Sequence, residues 1–330
     1  LTYHLPDHTH LLDHDAALAA FRAILDGEVA DDDIEAFLIA LTDRGETAIE
    51  VAAAATALRE RLLPIAAPDH AIDVCGTGGD GHHTLNISTA VSLVVAAAGV
   101  PVAKHGNRAA SSKAGAADVL EALGLDMERA GRTAEASLAD LGICFLFAAN
   151  HHPAMKRIQP IRQKIGRRTI FNLMGPLANP ARVERQLIGI ARPGYVHLYA
   201  RAMHELGTRH SYIVSGDEGL DELSLAGGNE VAEVSPEGVH MMRLEAKDAG
   251  LPARPVGDIR GGDVAHNAAA LKRLLDGAQG AYRDAVLFNA AVALRLADKV
   301  GTLPAGVAIA AEAIDSGAAR RLLADWIAYS

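Results

Sequence analysis

The spacing of hydrophobic positions changes once along the chain, near residue 70. Before that point apolar residues recur with a helical period, and Ile34, Phe37, Leu38 and Leu41 form one face. Asp32-x-x-Glu35 and Thr47-x-x-Glu50 each match a capping box, and Gly45 between them suits a helix end. The pattern predicts three helices across residues 13–63, with the small-residue run 52–55 suited to close helix contact. No cluster of reactive side chains falls there, so packing or dimerisation is the expected role. Residues 64–69, PIAAPD, read as a linker.

Beyond the linker, short apolar runs alternate with amphipathic stretches. Residues 71–74, 100–103, 143–147, 186–191 and 210–215 read as strands. Helices are expected from about 86 to 99, 118 to 124, 155 to 166 and 195 to 206. Residues 231–235 and 239–244 flank Pro236-Glu237-Gly238, a hairpin signal that adds an antiparallel element. From Asp263 the pattern is helical to the end, with a break near Ser316-Gly317. The reading is α/β: a small all-helical N-terminal domain, residues 1–66, and a large domain, residues 70–330, with a central mostly parallel sheet flanked by helices.

The candidate chemistry sits at two successive strand-to-helix corners. The first carries Gly76, Gly78, Gly79 and Gly81, then Asn86-Ile87-Ser88-Thr89 at the start of an apolar helix. Glycines let backbone N–H groups turn toward a ligand, and a helix N-terminus favours an anion. The second corner carries Lys104-His105-Gly106-Asn107-Arg108, then Ser111-Ser112-Lys113. In a parallel sheet both corners fall at the carboxyl ends of the strands, where ligands bind. The inference is a site for a ligand with several phosphates. No Gly-Lys-Ser/Thr closes the glycine run, and Gly76-Thr77-Gly78-Gly79 lacks the dinucleotide spacing, so kinase and dehydrogenase readings lose their support.

Charge narrows the partners. The 31 basic and 41 acidic residues leave a net charge of −10, unlike a general nucleic-acid binder. The longest apolar run, about residues 90–103, contains Ser92, Gly99 and Pro101 and is too short to span a bilayer. Cys75 and Cys144 lie in apolar strand contexts and read as buried thiols of a reducing compartment; with no secretory signal visible, a cytoplasmic protein is expected. The pairs His82-His83 and His151-His152 lack the i,i+4 spacing of a zinc site on a helix. The first reads as a solvated loop, the second as a helix cap or channel lining. Asp217, Glu218, Asp221 and Glu222 crowd one turn; the first two read as exposed.

The motifs GTGGD, NIST, KHGNR, SSKAG with ADVLEALG, NHHPAMK, RTIFNLMGPLANP and GLDELSL, in this order, resemble the anthranilate phosphoribosyltransferases across nearly the whole chain. The resemblance implies the nucleoside phosphorylase and phosphoribosyltransferase type of fold. It also implies transfer of phosphoribose from phosphoribosyl diphosphate to anthranilate in tryptophan biosynthesis. Gly76, Thr77, Gly78, Gly79, Asp80, Thr84, Asn86, Ile87, Ser88 and Thr89 would cradle the diphosphate substrate. Lys104, His105, Gly106, Asn107, Arg108, Ser111, Ser112 and Ala116 would close over it. Gly76, Asn107, Arg162 and His105 would meet anthranilate, the arginine fork pairing its carboxylate. Ser88, Asp221 and Glu222 would hold Mg²⁺, two ions per subunit.

By the same resemblance, part of 160–185 joins the helical domain, and the protein is a homodimer through that domain. The family usually has Ser or Thr where Ala116 stands, so one hydroxyl contact to the diphosphate substrate is either lost here or replaced by backbone and water. A pyrimidine nucleoside phosphorylase, or a non-catalytic nucleic-acid-binding relative, would share the architecture. The first would lack Asp221-Glu222 and the KHGNR run; the charge and the glycine loop speak against the second.

Overall fold

The computed structural model describes residues 3–109 and 113–330. The chain opens with α1 (His14–Asp26), α2 (Asp31–Arg44) and α3 (Ala48–Arg59). It continues through β1 (Ile72–Gly76), α4 (Ile87–Ala97), β2 (Val102–Gly106), α5 (Ala116–Leu123), α6 (Met127–Arg132), α7 (Ala134–Leu141) and β3 (Ile143–Phe147). Next come α8 (Ala148–His151), α9 (Met155–Ile165), α10 (Met174–Leu177), β4 (Arg185–Gly189), α11 (Val196–Glu205) and β5 (His210–Gly216). The hairpin β6 (Asn229–Ser235) and β7 (Gly238–Leu244) precedes α12 (Val264–Leu275), α13 (Ala281–Leu296), α14 (Leu303–Asp315) and α15 (Ala318–Tyr329).

The seven strands form one sheet in the order β3-β2-β1-β4-β5-β6-β7. The first five are parallel; β6 and β7 are antiparallel, as the Pro236-Glu237-Gly238 turn predicts. From β1 the chain winds outward through β2 and β3, then crosses back to β4 and β5 on the other side. That reversal opens a crevice at the carboxyl ends of β1 and β4, where an open α/β sheet takes its ligand. One face of the sheet packs on α4, α5 and α12–α15. Ile87, Val91, Leu93, Val94 and Val95 of α4 are almost wholly buried there, each side chain contributing about 1.5–3 kcal/mol. The other face packs on α11, α1–α3 and the segment from Ile158 to Ala178.

The helical region shows one expected cap and one substitute. Thr47 accepts the Glu50 N–H at 3.2 Å while the Glu50 carboxylate accepts the Thr47 N–H at 2.9 Å, closing the box. The Asp32 box does not form: α2 starts at Asp31 with Ala30 as its N-cap. Asp32 and Glu35 instead pair with Lys164 of α9, at 2.9 and 2.6 Å. Arg157 of α9 donates to the Val29 carbonyl at 2.8 Å, and Arg59 of α3 to the Leu177 carbonyl at 2.5 Å. These contacts seat residues 155–177 on the three helices. Residues 126–141, for which the apolar pattern predicts nothing, form α6 and α7, with Asp126 accepting two N–H groups as the N-cap. β2 begins at Val102 rather than residue 100, because Pro101 has no N–H to give the ladder.

Candidate active site

The glycine corner follows β1 directly. Gly78, Gly79 and Gly81 have φ of 67°, 74° and 79°, a region that costs any other residue strain. Gly76 is glycine for a different reason: a Cβ there would lie 2.5 Å from Asp221 Oδ2. Five hydrogen bonds fix the loop. Thr77 N–H donates to the Gly189 carbonyl at 2.9 Å, and Ala191 N–H to Thr77 Oγ1 at 3.3 Å. Gly78 N–H donates to Asp221 Oδ2 at 2.7 Å. Arg168 Nη1 donates to the carbonyls of Gly78 and Gly79 at 3.0 and 3.3 Å. Asp80 Oδ1 accepts the His82 N–H at 3.0 Å, and Thr84 forms a bridge with Arg260. His82, expected to be solvated, has its ring nitrogen 3.1 Å from the Glu218 carbonyl.

The start of α4 lies beside this loop. Asn86 is its N-cap, but its side chain is engaged between layers: Nδ2 donates to the Ala114 carbonyl at 3.1 Å and Oδ1 accepts from Asn267 at 2.9 Å. Ile87 points into the core, so only its backbone can face a ligand. The Thr89 hydroxyl is buried with no partner among the described residues. Ser88 carries the chemistry: its N–H donates to Glu222 Oε1 at 3.1 Å, and its Oγ lies 3.2 Å from Lys104 Nζ. Lys104 comes from β2 and is 3% exposed. Its ammonium also donates to the Val74 carbonyl at 2.8 Å, and the attraction it exerts on Asp73 and Glu222 offsets part of the cost of burying it.

Asp221 and Glu222 close the crevice from the turn after β5. Burial, then the charge of Asp80, pushes Asp221 up to about 7. Burial, then Asp221 itself, pushes Glu222 up to about 8. Two carboxylates so costly to ionise together are oxygen donors suited to a hard cation. Among the described residues no three His, Cys, Asp or Glu side chains gather into a ready-made cage. That fits an ion held by one or two carboxylates and completed by a ligand's own oxygens. Asp217 and Glu218 are exposed, as expected; Asp217 pairs with Arg243 at 2.5 Å and Glu218 accepts from the Ser224 hydroxyl.

A second polar group lies on the other side of β2. Asp73 is fully buried; its oxygens accept the His105 N–H at 3.1 Å and the Asn179 amide at 2.8 Å. Asn179 also donates to the Ala103 carbonyl at 2.9 Å. His105 Nδ1 lies 2.9 Å from the Gly175 carbonyl and must carry the proton there. In the neutral ring Nε2 is then an acceptor, and His152 Nε2, 3.2 Å away, must be its donor. His152 Nδ1 is buried with no hydrogen-bond partner among the described residues. Burial first, then a neighbouring histidine in each case, lowers His105 to about 3 and His152 to about 4, so both rings are neutral near pH 7. His151 reaches the Leu63 carbonyl at 2.9 Å. Both members of the pair are thus hydrogen-bonded rings.

The remaining residues of the two corners divide. Asn107 is exposed and accepts the Arg108 N–H at 2.9 Å. Arg108, expected over phosphates, pairs with Asp118 at 2.9 Å and Glu121 at 2.8 Å. Gly106 lies so close to Phe145 that a Cβ would sit 2.8 Å from the ring, and Ala116 opens α5 beside it. Ser111 and Ser112 lie outside the described residues. Arg162 stands half-buried on α9, its guanidinium pKa lowered by burial, with no acid among the described residues countering the shift. Sequence reasoning passed over Asp73, Asn179 and Arg168. A lone acid in an apolar strand was the one local signal for Asp73. Nothing local marks the other two.

Residues 6–62 match the helical bundle domain of a glycosyl transferase family, and residues 68–320 match the a/b domain of a glycosyl transferase family. Fold and crevice together define a two-part glycosyl transferase. The anthranilate phosphoribosyltransferase of Sphingopyxis alaskensis is 71% identical over 324 residues, 98% of each chain. The crystal structure of anthranilate phosphoribosyltransferase from Thermus thermophilus superimposes with a TM-score of 0.92 at 41% identity, covering 97% of this chain and 96% of that one. The Saccharomyces cerevisiae enzyme in complex with PRPP and Mg gives 0.86 at 29% identity, over 98% and 93%. The chain belongs to the anthranilate phosphoribosyltransferase family.

Proposed function

We propose that the chain transfers the phosphoribosyl group of 5-phosphoribosyl 1-diphosphate to the amino group of anthranilate, in the second step of tryptophan biosynthesis from chorismate. The C1–O bond to diphosphate breaks with its electron pair leaving on diphosphate. The amine lone pair forms the new N–C1 bond, and the amine proton passes to water. The observation that carries this reading is the meeting of Asp221 and Glu222 with the N–H groups of Gly78 and Ser88, beside Lys104, whose ammonium lies 3.2 Å from the Ser88 hydroxyl. It is a crevice of anion donors and cation ligands at the switch point of the sheet.

In this reading the glycine loop, the α4 N-terminus and Lys104 hold the donor substrate. Asp221, Glu222 and Ser88 hold Mg²⁺, two ions per subunit. Bound there, the metal would stabilise charge on the leaving diphosphate. His105 is neutral and its Nδ1–H is committed to Gly175, so its role is to shape the acceptor pocket rather than to donate a proton. Arg162, which meets no acid, pairs the anthranilate carboxylate. No side chain is needed as a nucleophile, because positioning and charge stabilisation suffice.

The helical unit of residues 1–66, joined by part of 160–185, forms a homodimer interface; Leu11 at 68% exposure and Ile49 at 41% are its apolar candidates. No helix of the described residues is long and apolar enough to cross a membrane, and the two buried free cysteines suit a cytoplasmic protein. The test is loss of anthranilate fluorescence on mixing with phosphoribosyl diphosphate and Mg²⁺. The signal should vanish with EDTA and fall sharply in Arg162→Ala. No turnover by folded wild type overturns the reading, and nucleosides with inorganic phosphate would then be screened.

A further inference from the structure

Arg168 lies six positions beyond Arg162, on the stretch that leaves α9. It is half-buried, and a single nitrogen, Nη1, donates to two successive carbonyls, those of Gly78 and Gly79. Burial and then Arg192 oppose its charge, Asp221 favours it, and no carboxylate lies within ion-pair distance among the described residues. A trans peptide is planar, so each carbonyl points opposite to the N–H that follows it. Drawing the Gly78 and Gly79 carbonyls to one side therefore turns the N–H groups of Gly79 and Asp80 to the other. Those two N–H groups donate to nothing among the described residues, whereas the N–H groups of Thr77, Gly78 and His82 all have acceptors. Two adjacent N–H groups left free on one side make an anion nest. A cation on their carbonyls also polarises both peptides and makes them stronger donors.

We propose that Arg168 is a positioning residue for the phosphoribosyl donor. It holds the two glycine peptides so that the N–H groups of Gly79 and Asp80 face one of the donor's phosphates. The proposal rests on the phosphoribosyl reading above. It also ties the two substrate sites to one stretch of chain, since Arg162 and Arg168 leave the same helix.

The experiment measures phosphoribosyl diphosphate affinity by calorimetry with Mg²⁺, and the KM of both substrates, for wild type and Arg168→Ala, Arg168→Gln and Arg168→Lys. Loss of a charge-assisted bond to two carbonyls should weaken donor binding about tenfold or more in Arg168→Ala, with the KM for anthranilate within about twofold of wild type. Gln keeps an N–H donor without the charge and should recover part of the affinity; Lys should recover more. Equal donor affinity in folded Arg168→Ala overturns the proposal. So does an equal rise in both KM values, which marks general disruption. Gln as poor as Ala beside a wild-type-like Lys also overturns it, because that pattern means the charge touches phosphate directly. If Arg168→Ala does not fold, Arg168→Gln carries the same comparison. Wild type that binds no phosphoribosyl diphosphate sinks the functional reading itself, a result distinguishable from all of these.

Discussion

Asp221 and Glu222 occupy, in the free protein, two donors that a diphosphate would use. Oδ2 of Asp221 is 2.7 Å from the Gly78 nitrogen and Oε1 of Glu222 is 3.1 Å from the Ser88 nitrogen. A phosphate arriving at those N–H groups must displace the carboxylates and then lie beside them. Two like charges about 4 Å apart at an effective dielectric near 20 repel by about 4 kcal/mol. Allowing half of that for side-chain movement and water leaves about 2 kcal/mol, or about 30-fold in affinity. A divalent cation between the groups turns this cost into a gain, so metal and donor substrate should bind with strong synergy. The perturbation is Glu222→Gln, which keeps the shape and the acceptor oxygen but removes one charge. The assay is calorimetric titration with phosphoribosyl diphosphate at about pH 8.5, where both carboxylates are ionised, in EDTA and in Mg²⁺. Wild type should bind at least about 30-fold more weakly in EDTA than in Mg²⁺. Glu222→Gln should bind more tightly than wild type in EDTA, and its response to Mg²⁺ should shrink. A variant that binds no tighter than wild type in EDTA would refute the reasoning, since repulsion by Glu222 would then play no part.

The same carboxylates set a pH dependence of folding. Their pKa values are raised to about 7 and about 8, so the folded chain keeps protons that the unfolded chain has lost above about pH 4. Their contribution to the stability of the ligand-free protein therefore falls as pH rises from about 4 through 8. Asp221→Asn with Glu222→Gln should gain on wild type steadily between pH 5 and 8 in urea unfolding; a constant difference contradicts the raised values. His105 and His152 work in the opposite direction and are common to both proteins, so the comparison cancels them. Gly76→Ala places a methyl 2.5 Å from Asp221 Oδ2 and should cost about 1–3 kcal/mol in the urea midpoint, with loss of donor affinity. Ala116→Ser restores a hydroxyl at the first turn of α5 and should lower the KM for phosphoribosyl diphosphate about two- to tenfold. An unchanged KM would show that backbone or water already fills that contact.

The parts of the fold set by local chemistry were legible. Residues 143–147 read as a strand and form one, the Thr47 box closes, and Gly124 ends its helix in the left-handed region. Where the outcome depends on distant partners, local reading failed. Asp31, Asp32 and Asp33 all stand at the start of α2, and what Asp32 does is settled by Lys164, 132 positions away. α6 has six residues with little apolar face to announce it. The same division runs through the site. Glycines, hydroxyls and cations declare an anion crevice by type and spacing. Their present engagements do not follow from spacing: Arg108 is held by Asp118 and Glu121, and the Asn86 amide lies between Ala114 and Asn267.

Which groups are free matters more to binding than which groups are present. A donor already satisfied must exchange partners, at little net gain, while an unsatisfied one contributes its full bond. By that measure the N–H groups of Gly79 and Asp80, which donate to nothing among the described residues, would be stronger handholds for an anion than those of Gly78 and Ser88. In the proposed reading the N–H groups of Gly78 and Ser88 would become available when Asp221 and Glu222 turn to a cation instead. A crevice built this way would resist stray anions while its acids are on those donors, and would accept a diphosphate when metal and phosphate arrive together.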